Sequence, residues 1–169
     1  MSEEFYIVWV KSRDRVSGNT NNFTVDIQNC VPDMNKKFKI QLLKGFINRK
    51  AYGDGTHYAF GDLQYGGYIE IILNLNSSYN FATSTPTNGM IIGIVENNNL
   101  NALDATVDYI NHSTLEINEQ PSIIITRLQR FLNITYYNYD YTNNYVLLLN
   151  SDGSAIKESV LCLKITPLE

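Results

Sequence analysis

Apolar residues recur at every second position along most of the chain, which is the spacing of half-buried β-strands rather than of helices. Phe5, Ile7 and Trp9 share one face of a first strand. Phe23, Val25 and Ile27 alternate with Thr24, Asp26 and Gln28, and Phe38, Ile40 and Leu42 with Lys39 and Gln41. Ile69, Ile71, Leu73 and Leu75 oppose Tyr68, Glu70, Asn74 and Asn76. Leu115 and Ile117 flank Glu116, and a further run covers Ile123 to Ile125. Leu132, Ile134 and Tyr136 alternate with Asn133 and Thr135, and Leu161, Leu163 and Ile165 close the chain. Met90 to Val95 is apolar on both faces and reads as a central strand, and Tyr145 to Leu149 is another doubly apolar run.

Turn residues separate these runs. Ser17-Gly18-Asn19 ends the first segment, Val31-Pro32-Asp33 follows the second strand, and Pro86 to Gly89 precedes the central run. Ser151-Asp152-Gly153-Ser154 predicts a hairpin between the last two strands. The stretch from Tyr52 to Gly67 is Gly-rich and long for a connection, so it reads as a surface loop. Leu100, Leu103, Val107 and Ile110 follow helical spacing and predict one short helix near 99–110. The pattern as a whole predicts an all-β fold: a single jelly-roll β-sandwich of about eight strands plus an N-terminal strand, with at most one or two short helices. The expected organisation is an N-terminal strand and linker arm over 1–21, followed by one jelly-roll domain over 22–169.

Composition sharpens this picture. Charged residues are only 18% of the 169, tyrosines number 12, and asparagine is abundant. Asn suits turns and Tyr suits strands. The net charge is −4, which argues against sequence-specific nucleic-acid binding by the whole domain. The balance is uneven: residues 11–50 carry +6 and residues 51–169 carry −8. Cys30 and Cys162 make neither a disulfide framework nor a zinc pattern, and they are expected as free thiols. The N-terminus is acidic with a short apolar run, unlike a signal peptide, and no stretch is long and apolar enough to span a membrane as a helix. Four Asn-x-Ser/Thr sequons, at Asn22, Asn76, Asn111 and Asn133, are expected to stay unmodified.

The residues of common catalytic sites do not assemble into a pattern. His57 and His112 have no Cys or His partner at metal-ligand spacing and read as plain surface residues. Asp104 and Asp108, four positions apart, read as a solvated face. Asp54-Gly55 and Asp152-Gly153 lack the rest of a calcium loop. The chain is therefore expected to be no enzyme, with no cofactor, no metal and no catalytic residue. Tyr136, Tyr137, Tyr139, Tyr141 and Tyr145 read as cross-strand aromatic packing with a contact surface at Tyr137, Tyr139 and Tyr141. Lys36, Lys37, Lys39, Lys44, Arg49 and Lys50 form a run free of acids, read as a protected edge strand or as half of a charge-complementary contact.

One segment carries a resemblance. Val10 to Asn19, with Ser12-Arg13-Asp14-Arg15 at its heart, followed by Asn22-Phe23-Thr24-Val25-Asp26-Ile27, resembles the N-terminal segment of single jelly-roll penton and minor capsid proteins. The family belongs to icosahedral DNA viruses of the virophage, polinton-like and giant-virus lineage. In its pattern a spacer residue follows the Asn, which is missing here between Asn22 and Phe23. The resemblance covers roughly residues 9–28 and implies a two-sheet jelly roll acting in a virion shell. Its implied partners are further copies of itself, as a homopentamer, and other capsid proteins such as a major capsid protein. Its implied location is the virion, after synthesis in the host cytoplasm. The expected assembly interface is Arg13, Asp14, Arg15, Lys36, Lys37 and Lys39, with Phe23–Gln28 and Lys37–Asn48 as edge strands along one flank. The competing reading is a jelly-roll carbohydrate- or receptor-binding module that uses the Tyr/Asn-rich surface.

Overall fold

A computed structural model describes residues 4–50, 65–74, 89–96, 108–112, 122–140, 145–147 and 156–168. These form two antiparallel sheets packed face to face. The strands are β1 (Tyr6–Lys11), β2 (Ser17–Asn19), β3 (Asn22–Asp26), β4 (Lys37–Lys50), β5 (Tyr65–Asn74), β6 (Gly89–Glu96), β7 (Asp108–His112), β8 (Ser122–Ile125), β9 (Phe131–Asp140), β10 (Tyr145–Leu147) and β11 (Glu158–Leu168). The first sheet runs β1-β11-β4-β7, with β8 also on β4; the second runs β2-β3-β9-β5-β6, with β10 on β9. The chain changes sheet after β1, β3, β4, β6, β8 and β10, and β5 and β6 pair with each other. This interleaving of a five-stranded and a six-stranded layer is the jelly-roll topology.

The alternation read from the sequence sets the inner faces. Val8 and Val10 on β1, Phe38, Ile40, Leu42 and Ile47 on β4, and Leu161, Leu163 and Ile165 on β11 face Phe23, Ile69, Ile71, Leu73, Ile134 and Tyr136 of the second sheet. At about 25 cal/mol per Å² of apolar surface, burial on this scale is the main favourable term. Two glycines let the layers meet closely. A Cβ on Gly93 would lie 2.1 Å from a Leu42 methyl, and one on Gly45 would lie 3.3 Å from Ile71, Leu161 and Val95. A bulge at Cys162/Leu163, which leaves Leu43 unpaired, curves β4 against β11.

The two layers are also stitched by buried polar groups. The Tyr136 hydroxyl donates to Ser159 Oγ across the sandwich at 2.7 Å, and the Ser159 N–H donates to Ser12 Oγ at 2.9 Å. Tyr136 packs on Phe23 with ring centroids 5.9 Å apart. Ser12 opens a 3-10 turn, Ser12–Asp14, that carries the chain from one sheet to the other. Arg15 closes this corner: its Nε donates to the Gly18 carbonyl at 3.0 Å and its Nη1 to the Ser12 carbonyl at 2.9 Å.

Several expectations are corrected. Lys37–Asn48 is not an edge strand: β4 is paired on both sides, by β11 and by β7 and β8. Its alternating lysines mark the outward face of an interior strand instead. The first strand of the sandwich is β1, paired along its whole length with β11, so strand order starts at Tyr6 rather than Phe23. Ser17-Gly18-Asn19 is a strand, not a turn. Gly18 at φ 86 allows it, because a Cβ there would lie 2.2 Å from the Asn22 carbonyl oxygen. Asp108–His112 is strand β7, which removes the end of the helix expected at 99–110. The rest of that helix, His57, Asp104, both Asp-Gly pairs, Leu115–Ile117 and the 151–154 hairpin lie outside the described residues.

Burial pushes the Tyr136 hydroxyl far above its ordinary value of 10.0. The protonated form is thus favoured in the folded state, so its contribution is complete below pH 10 and fades as the pH rises above it. Tyr136→Phe should lower stability at neutral pH by about 1 kcal/mol, or a few degrees in thermal melts. The gap to wild type should narrow above pH 10. An unchanged melting temperature at neutral pH would show that the link is dispensable.

Candidate interaction surface

The outward faces of the two sheets differ. On the β5–β9 pair of the second sheet, outward positions are closed off: Glu70, Ile72, Thr135 and Tyr137 are all buried. Beside them runs a ladder of neutral amides and hydroxyls. Asn133 Nδ2 donates to Asn22 Oδ1 and Thr24 Oγ1, each at 3.1 Å. Asn74 Nδ2 donates to Asn133 Oδ1 and, at 2.7 Å, to Thr135 Oγ1. At the ladder's end Arg130 holds Asp26 at 2.7 Å. The hydrogen bonds from Arg130 and from the Gln28 N–H keep the Asp26 carboxyl below its ordinary value.

The outward face of the first sheet is open. Because Val8 and Val10 point inward, Phe5, Ile7 and Trp9 point out, and they are 49%, 44% and 55% exposed. Register places Ile7 opposite Lys164, Trp9 opposite Cys162 and Lys11 opposite Val160. On the other side of β11, Cys162 lies opposite Lys44 and Val160 opposite Phe46. The Lys164 ammonium sits 4.7 Å from the centre of the Phe5 ring, and Lys44 lies 5.9 Å from that of Phe46. Ile124 of β8, 62% exposed, flanks Lys39. A shallow depression of about 130 Å³ between β4 and β11 is lined by Phe46, Asn48, Glu158, Ser159 and Val160. Beyond β1 no further strand pairs among the described residues, so this aromatic strip lies along a free sheet edge.

The residues singled out from the sequence are dispersed. Lys37 and Lys39 do stand on the open face, as outward positions of β4. Lys36 precedes β4 and pairs loosely with Asp33 at 3.9 Å. Arg13 and Asp14 are exposed on the corner, 3.9 Å from one another, while Arg15 is turned back onto backbone carbonyls. Tyr137 is 7% exposed and is therefore no surface contact in the isolated chain. Tyr139 is paired with Tyr145 in the β9–β10 ladder, and Tyr141 lies outside the described residues. The Phe5-Ile7-Trp9 strip was legible as one face of a strand. Its exposure was not, because β1 is apolar on both faces.

Among the described residues no three His, Cys, Asp or Glu side chains converge as metal ligands, and no helix is long and apolar enough to cross a membrane. Both cysteines are free thiols, Cys30 exposed and Cys162 buried. Burial raises the Cys162 thiol above its ordinary value, opposed in part by Lys44.

No protein-family model matches the chain, and no curated protein matches it in sequence. Among solved structures it is similar to the crystal structure of selenomethionine-labelled mavirus penton protein, over 98% of this chain and 100% of that one, with 8% identity and a TM-score of 0.43. Similarity at that level assigns no function.

In the native protein a thiol reagent should modify Cys30 quickly and Cys162 at least about tenfold more slowly, with both reacting once the chain is unfolded. Equal native rates would mean that the β1–β11–β4 face opens readily.

Proposed function

We propose that this chain is a structural subunit of a virion shell, a penton or a minor capsid protein, and that it works by self-assembly and by contact with neighbouring shell proteins rather than by catalysis. The observation that carries this reading is the open, lysine-framed aromatic face of a jelly-roll sandwich. Exposed Ile7 and Trp9 on β1, with Phe5 just before it, have the composition of an interface core, where aromatics are enriched. Two further observations support it. The segment that resembles the capsid family builds the corner that joins the two sheets, so the resemblance falls on a part that defines the fold. The described outward surface of the second sheet is a hydrogen-bonded ladder of Asn and Thr, which suits the wet, polar part of such contacts. The carbohydrate-binding alternative relied on a tyrosine surface, and Tyr137 is buried.

The assembly is a homo-oligomer, a pentamer in a penton, to which the basic residues Lys36, Lys37 and Lys39 and the corner residues Arg13 and Asp14 contribute; its place is the virion. Light scattering on the purified protein tests this. A ring is expected at about 0.1 M salt that loosens toward 1 M, as the Debye length falls from roughly 10 to 3 Å. Changing Lys36, Lys37 and Lys39 together to Glu should loosen it too. A monomer at every salt and protein concentration, with the triple variant indistinguishable, would overturn the reading.

A further inference from the structure

No further inference is drawn: the strongest candidate, the open outward face around β1 and β11 with Phe5, Ile7 and Trp9 set among Lys11, Lys44 and Lys164, is an unpartnered sheet face, and nothing in the structure shows what covers it.

Discussion

The buried chain from Tyr136 to Ser159 to Ser12 is the constraint on which the remaining geometry hangs. Apolar burial supplies most of the stabilisation but has no direction, and a strand that is apolar on both faces, as β1 is, can turn either face to the core at little loss of area. The Tyr136 hydroxyl and the Ser159 N–H each need a partner once buried, and an unmet need costs about 1–3 kcal/mol. Meeting both fixes β9 opposite β11 and pins Ser12 to the inside. With Ser12, Val10 and Val8 inward, parity sends Lys11, Trp9, Ile7 and Phe5 outward. The exposed strip is thus a consequence of where one serine is held.

This explains which parts of the structure were legible from sequence. Strands such as β3, β9 and β11 alternate apolar with polar residues, and a period of two assigns both the element and its buried side. β1 offers Phe5-Tyr6-Ile7-Val8-Trp9-Val10, apolar at every position, so periodicity names a strand but not its inner face. The arbiter is a serine hydroxyl bonded to an amide 147 positions away, and no local pattern contains that contact. The lysines of β4 pose a related ambiguity. Alternating Lys protects an edge strand and also coats the wet side of an interior strand, and only the pairing of β4 with β11, β7 and β8 separates the two. Ser17-Gly18-Asn19 has the composition of a turn, yet the left-handed backbone that Gly18 permits is used to pair β2 with β3.

The corner at Ser12–Arg15 was visible as a motif, but its use was not. A pair of arginines around an aspartate suggests outward charge recognition. Arg15 instead gives its donors to the carbonyls of Ser12 and Gly18, and so ties the turn that leaves the first sheet to the strand that enters the second. A guanidinium suits that task because its several donors have a fixed geometry. The motif that resembles a capsid family is then, in part, a folding device. It gives the jelly roll its first crossing between layers, with Arg15 turned to the backbone and Arg13 and Asp14 left exposed.

The two outward faces solve the problem of exposure in opposite ways. On the second sheet, Asn22, Thr24, Asn133, Thr135 and Asn74 bond one another laterally in a ladder of neutral groups, and Glu70, Ile72 and Tyr137 beside it are buried. On the first, aromatic area is left in water along an edge where no further strand pairs among the described residues, the arrangement most prone to unwanted strand pairing. Lysines are set among these residues. The ammonium of Lys164 covers the Phe5 ring at 4.7 Å, and Lys44 neighbours Phe46 at 5.9 Å. A cation over a ring gains roughly 0.5–1 kcal/mol at such exposed sites, enough to shield the surface and too little to commit it. An identical positive face is repelled, whereas an acidic surface meets both the charges and the apolar strip. The same lysines that keep the edge soluble therefore decide what is allowed to cover it.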